Sequence, residues 1–357
     1  MVVPLAVLDM RFIDTILAGA VNGIKRKFAF INPGRIPHII RPSDPTQTFQ
    51  QIVDEAVARK LAGIDAMIDE RVARALALRL FKPRLPAMNQ DGAPPFMAYS
   101  NCSAADMLHP RYRELCSLLF SPPVLHRKMW EWIFILHNFL DAGVIETGKR
   151  GICFGVGVES LPALFAARGA AITATDAPPE IGVHGWSTTG QHAASRDSLR
   201  QPHICSNDRF DELVTYRYCD MNNIDSDLTN YDFAWSSCCF EHLGSIEAGI
   251  QFVIKSVERC LKPGGIAVHT TELNLSSDED TISSGSTVIY RRKDIRDLID
   301  RLTARGHDVQ PFKPAPDVHV LDFHVDAPPY THDPHLKLAL GRYVTTSVGI
   351  VVRRGAA

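Results

Sequence analysis

The chain has no CxxC pair and no regular cysteine spacing, although it carries eight cysteines, Cys102, Cys116, Cys153, Cys205, Cys219, Cys238, Cys239 and Cys260. Thiols scattered in this way suggest neither a zinc ribbon nor a disulfide framework, and they are expected to be reduced, as in a cytoplasmic protein. The chain also lacks an uncharged apolar run of the roughly 18 residues that a membrane span needs. The apolar stretch Met1 to Ala20 is broken by Asp9, Arg11 and Asp14 and has no basic region ahead of it. It is expected to be an amphipathic or buried segment rather than an export signal. Nor is there an excess of one charge: 38 Lys and Arg against 40 Asp and Glu leave a formal net charge of −2. No electrostatic footprint for nucleic acid follows. Of the 357 residues, 45% are apolar, 22% charged and 8% aromatic, with 23 Gly and 23 Pro. That is the composition of a globular protein, long enough for two domains or for one large domain with insertions.

Two textures divide the sequence. Up to residue 145 the signals are helical. Apolar residues recur at helical spacing from Gln47 to Leu80, after Thr46 as a start signal and before Pro83. A Pro/Gly-rich loop runs from Lys82 to Pro95, and Val124 to Leu140 is a dense aromatic and aliphatic helix that stops before Gly143. Its Trp130, Trp132, Phe134 and Phe139 are expected in the core, while His126, Arg127 and Lys128 form a polar start that can face a cleft.

From residue 146 to 357, short β-branched runs alternate with helices. Strands are expected at Gly151–Phe154, Ala170–Thr175, Val214–Tyr218, Phe233–Ser236, Ile266–Thr270, His307–Gln310 and Tyr343–Val352, and helices at Ser160–Arg168, Ile246–Leu261 and Lys293–Arg305. Such alternation predicts an α/β fold with a mainly parallel sheet covered on both faces. The stretches 178–213, 274–286 and 311–340 stay unassigned. Loops of that length are usually functional or hide small elements, and the first is expected to line the active site. Within it, Gly185 to His192 mixes a tryptophan with amide and imidazole groups that suit substrate contact or surface packing.

The sharpest motif is Gly151-Ile-Cys-Phe-Gly155-Val-Gly157-Val-Glu159, an apolar strand running into GxGxE. Glycines at such a turn let a ligand approach the main chain without meeting a Cβ atom. A second strand ends on Asp176, 176 − 155 = 21 positions downstream, where a carboxylate can accept from both hydroxyls of a ribose. Glu159 stands where a dinucleotide fingerprint would have Gly or Ala. A carboxylate at that helix start repels a pyrophosphate and tolerates a cation. This combination points to S-adenosylmethionine, whose sulfonium and ammonium are positive, rather than to a nicotinamide dinucleotide. Further along, Asp220 and Met221 follow the third strand, Ser237-Cys238-Cys239-Phe240-Glu241-His242 follows the fourth, and Leu261-Lys-Pro-Gly-Gly265 enters the fifth.

In the order and spacing of these pieces, the stretch from Arg150 to Arg353 resembles the class I S-adenosylmethionine-dependent methyltransferases. The resemblance implies a Rossmann-like seven-stranded methyltransferase sheet of order 3-2-1-4-5-7-6 whose last strand, Tyr343 to Val352, is antiparallel. It implies that Gly155 and Gly157 form the glycine loop, with Glu159 beside it as a departure from the family's usual small residue. Asp176 would hold the ribose, Asp220 and Met221 the adenine, and the main chain at Ser237 and Cys238 would face the methionine part. Residues 1–145 match no general element of the family and are expected to form a helical cap region.

The activity expected is in-line methyl transfer to a small-molecule or carbohydrate-like acceptor, with His242, His269 and Glu272 as candidate bases. Two alternatives stay open: an NAD-dependent oxidoreductase, and a non-catalytic scaffold of methyltransferase fold. His319, His324, His332 and His335 form no HxH or HxxxH pair on a predicted helix, and Pro328, Pro329 and Pro334 lie among them, so no metal site is expected.

Overall fold

The computed structural model describes residues 94–178, 193 and 195–356, together with seven residues between 51 and 61 that are helical. Those seven fall inside the helix expected over Gln47–Leu80. The segments Met1–Ala20 and Gly185–His192 lie outside the described residues. The chain divides into two compact units, Met1–Leu85 and Pro86–Ala357. Everything below concerns the second.

The main strands of its large sheet are β1 (Arg150–Phe154), β2 (Ala171–Asp176), β3 (Val214–Tyr218), β4 (Tyr231–Ser237), β5 (Leu261–Asn274), β6 (Asp308–Val309) and β7 (Tyr343–Arg353), arranged as β3-β2-β1-β4-β5-β7-β6. The first five are mutually parallel, whereas β7 runs antiparallel to both β5 and β6. This is the expected order. An extra strand, Lys337–Leu340, drawn from the expected 311–340 insertion, pairs with the start of β7 and makes the sheet one strand larger than expected.

The β5 strand starts earlier than the pattern indicated. Leu261 already pairs with Tyr231, and the Lys-Pro-Gly-Gly segment is absorbed as an irregularity in the ladder before Phe233 meets Ile266. The preceding helix runs almost as far as expected, its last turn, Ser256–Cys260, widening to π geometry before Leu261 enters the strand.

Seven α-helices are described: α1 (Ala104–Leu108), α2 (Pro110–Leu118), α3 (Arg127–Asp141), α4 (Leu161–Ala167), α5 (Asn207–Leu213), α6 (Ile246–Lys255) and α7 (Arg292–Ala304). The most consequential for the site is α3. His126 caps it, its Nδ1 accepting the Lys128 N–H at 3.0 Å. Its apolar face buries Trp130, Ile133, Phe134, Leu136 and Phe139, each contributing about 1.5–3 kcal/mol. Phe134 rests on Gly349 of β7, where a Cβ atom would stand 2.1 Å from the ring. Only glycine permits that approach, which brings the polar start of α3 down to the carboxyl ends of β4 and β5.

From β1 the chain winds first toward β3 and then, in the opposite direction, toward β4 and β5. A crevice opens beyond the strand ends at such a reversal. All eight cysteines are free thiols, and no helix among the described residues is long and apolar enough to cross a membrane.

Candidate active site

The crevice holds a cavity of about 370 Å³, within the range of small-molecule sites. Its floor is the turn after β1. Gly155 and Gly157 both take left-handed backbone angles, φ +59° and +54°, which L side chains adopt at a cost. A Cβ atom on Gly155 would also stand 2.8 Å from Cys239 Sγ. Asp176 closes the turn from β2: its carboxylate accepts the Gly157 N–H at 3.1 Å and the Ala177 N–H at 2.8 Å. The glycine turn and the strand-end acid, separate in sequence, thus share one wall.

Asp220 and Met221 form the next part of the lining. Asp220 accepts the Asn222 N–H at 2.9 Å, a local turn that fixes its carboxylate at the end of β3. Met221 is buried, with its thioether toward Gly155. Ser237, Cys238 and His242 line the opposite side, joined by Lys128 and Trp132 of α3. The expected core cluster therefore needs a correction: Trp130, Phe134 and Phe139 are buried, but Trp132 faces the cavity.

Two buried glutamates stand beside this space. Glu159 lines it, while its Oε1 accepts Trp235 Nε1–H at 2.6 Å and the Cys153 thiol at 3.3 Å. Burial outweighs these two neutral donors, and the carboxyl is pushed up to about 7. Glu131, on α3, accepts from Lys128 Nζ at 2.9 Å, Cys238 Sγ at 3.0 Å, Ser237 Oγ at 3.1 Å and Thr270 Oγ1 at 3.3 Å, with the Ser347 hydroxyl and Arg127 also on it. Burial would raise this carboxyl too, but Lys128 and Arg127 overcome it and hold Glu131 at about 2.

Sequence reasoning picked out Arg127 and Lys128 as polar exceptions and missed Glu131. The available signal was a third charged residue in the first turns of an otherwise aromatic helix.

The three expected bases separate. His242 lines the cavity; its Nδ1 donates to the Ser286 carbonyl at 2.8 Å, which puts the acceptor nitrogen at Nε2. Burial pushes its pKa down to about 4, so the ring is neutral at neutral pH. His269 does not reach the cavity, and its expected contact with an acceptor is corrected here. It is fully buried, with Nδ1 on Ser236 Oγ at 2.7 Å and Nε2 on Ser256 Oγ at 3.0 Å. Because Ser256 donates to the Val253 carbonyl, Nε2 must donate to Ser256 and Nδ1 must accept from Ser236, so both nitrogens are committed. Glu272 is buried behind the site in an ion pair with Arg127 Nη2 and is not part of the cavity lining. Glu241, also buried, accepts Thr271 Oγ1–H at 2.9 Å.

No protein-family model matches the chain, and no curated protein matches its sequence. Solved structures of similar form include phosphoethanolamine N-methyltransferase 2 of Haemonchus contortus, at 18% identity and a TM-score of 0.35, covering 58% of this chain and 43% of that one. Others are the magnesium protoporphyrin IX methyltransferase of Synechocystis, at 11% identity and TM-score 0.39 with 69% and 93% covered, and the 1,6-didemethyltoxoflavin-N1-methyltransferase of Burkholderia thailandensis, at 15% and 0.35 with 69% and 79% covered. The sheet order, the antiparallel β7 and the glycine turn facing a strand-end acid give this chain the fold of the class I S-adenosylmethionine-dependent methyltransferases.

Proposed function

We propose that the protein transfers a methyl group from S-adenosylmethionine to a small-molecule or carbohydrate-like acceptor. One observation carries this reading: among the described residues the cavity lining sets three acidic groups, Glu159, Asp176 and Asp220, against one cation, Lys128. Such a lining favours a cationic nucleoside and opposes a diphosphate, which weighs against the dinucleotide alternative.

Each lining residue then has a task. Asp176 accepts from the ribose hydroxyls, Asp220 takes the adenine amino group and Met221 packs on the ring. Lys128 faces the carboxylate of the methionine part, alongside the main chain at Ser237 and Cys238. Gly155 leaves room where a Cβ would block the approach. Bound there, S-adenosylmethionine supplies a methyl group already activated on a positive sulfur.

The chain's own contribution is alignment of the acceptor and exclusion of water, an effect worth about 7–11 kcal/mol when reactants are well oriented. For a hydroxyl acceptor, His242 would take the proton through Nε2, a contribution of roughly 100- to 10,000-fold. On the acceptor side, Lys128 and Trp132 of α3 border the cavity and select what enters it.

Titration calorimetry with S-adenosylmethionine, S-adenosylhomocysteine and NAD separates the readings. Heat with the first two alone supports methyl transfer. Heat with NAD supports an oxidoreductase, and no heat with any of them leaves a scaffold. Asp176→Ala is expected to weaken S-adenosylmethionine binding tenfold or more, since a hydrogen bond to a charged group is worth about 1.5–3 kcal/mol. Unchanged affinity would remove Asp176 from the ribose site.

A further inference from the structure

Three imidazoles meet where the start of α3 touches the segment ahead of the strand Lys337–Leu340. The two stretches are pinned by main chain: Arg127 N–H donates to the His335 carbonyl at 3.0 Å, and His335 N–H to the Leu125 carbonyl at 2.7 Å. The rings of His126 and His335 lie 4.6 Å apart and those of His332 and His335 5.1 Å apart. One nitrogen from each of the three lies within 4.8 Å of the other two.

The chemistry behind His335 is specific. Its Nδ1 donates to Asp326 Oδ2 at 2.7 Å, and buried Asp326 is itself held by the Thr331 and His332 amides. A carboxylate in that position keeps the proton on Nδ1 and leaves the Nε2 lone pair for a cation. His332 is exposed, and its ring makes no hydrogen bond among the described residues, so it can present either nitrogen. His126 uses Nδ1 to cap α3; to ligate through that atom it must give up one cap bond, a small loss beside a metal–nitrogen bond.

A second cluster, Cys238 with Glu241 and Glu272, has comparable spacing, but Arg127 already sits on Glu272. A cation there would have to displace it.

We propose that His126, His332 and His335 bind one divalent transition-metal ion of the zinc type, with Asp326 positioning His335. Imidazole nitrogens suit zinc, nickel and copper. Tetrahedral zinc spaces its ligands about 3.4 Å apart, a closure that the exposed His332 can supply by rotating its side chain. Sequence spacing argued against a metal because the ligands come from a helix cap and a proline-rich loop that only the fold brings together.

The test is titration of the chelator-treated full chain with zinc chloride by calorimetry and with cobalt chloride by visible absorption. One equivalent is expected to bind, with a cobalt spectrum of nitrogen and oxygen ligation. Asp326→Asn should weaken binding about 10- to 100-fold, the usual effect of losing such a partner. His332→Gln should weaken it at least as much, and His126→Asn, which keeps a cap, should do so by tenfold or more. Because His332 is exposed, its variant decides the matter if Asp326→Asn does not fold, as judged by circular dichroism. Absence of saturable binding, affinity unchanged in His332→Gln, or a sulfur-to-cobalt charge-transfer band from Cys238 would each overturn the proposal.

Discussion

Glu131 and Glu159 are the same residue type, both sealed from solvent beside one cavity, and their acidities depart from the ordinary value near 4.5 in opposite directions. Glu159 has two neutral donors and is pushed up to about 7. Glu131 has two cations and several hydroxyl and thiol donors and is held at about 2. Burial disfavours the charge in both. The difference is how fully each site replaces the water it removed. The α3 side of the cavity is a saturated, permanently charged network, whereas the side below the glycine turn holds a carboxylate whose charge a cationic ligand can draw out.

Replacing Glu131 is the largest expected perturbation of that contrast. Glu131→Ala leaves Lys128 and Arg127 facing each other without their shared anion, and breaking a buried pair in this way costs about 3–5 kcal/mol. Urea denaturation measures it. A loss below about 1 kcal/mol would show that Glu272 alone suffices for Arg127.

Next comes the pH dependence of stability, for which the two glutamates carry opposite signs. Glu159 is raised in the folded state, so its contribution is fully present below pH 4.5 and is lost as pH climbs to about 7, by about 3 kcal/mol. Glu131 is depressed, so its contribution is present above pH 4.5 and is lost as pH falls toward 2. Glu159→Gln should flatten the decline between pH 4.5 and 7 and leave the acid limb in place. A stability curve overlaying the parent through that window would mean that the native protein carries ionised Glu159 without penalty.

A smaller effect is expected at the turn itself. Gly155→Ala forces an L side chain to φ +59° and against Cys239 Sγ; the backbone term alone is about 1–2 kcal/mol. In thermal melts, adding Cys239→Ala should recover only the Sγ share of the loss, because the Cys239 Cβ stands equally close at 2.8 Å, and none of the backbone part. Full stability in Gly155→Ala would show that the turn relaxes freely. Smallest is the ligand's own pH dependence. S-adenosylmethionine affinity should rise a few-fold from pH 6 to 8 as Glu159 ionises, and this rise should vanish in Glu159→Gln. The same rise in both proteins would assign it to another group.

The parts of the site that could be read in the sequence are local. Gly155, Gly157 and Asp176 belong to one βαβ unit, where strand, turn and helix lengths alone bring residue 176 back to the turn, and the structure joins Asp176 to the Gly157 amide. The alternation of strands and helices predicted only a mainly parallel sheet; its strand order was implied by the family resemblance that the motifs carry, and the structure has that order. His269 misled because position at a strand's carboxyl end does not say which way a side chain points; it turns inward between two serines. Trp132 misled in the other direction, since an aromatic stripe does not reveal which member borders a crevice.

By itself the sequence determined the α/β alternation, the glycine turn and the acids at the ends of β2 and β3, because backbone sterics and strand periodicity act between near neighbours. Tertiary structure alone decided that α3 would carry Lys128 and Glu131 to Ser237 and Cys238, more than a hundred positions away, and that His126 would stack on His335. Those contacts depend on one helix packing on one sheet through Phe134 and Gly349. Close packing at that seam brings together charges that no local pattern relates.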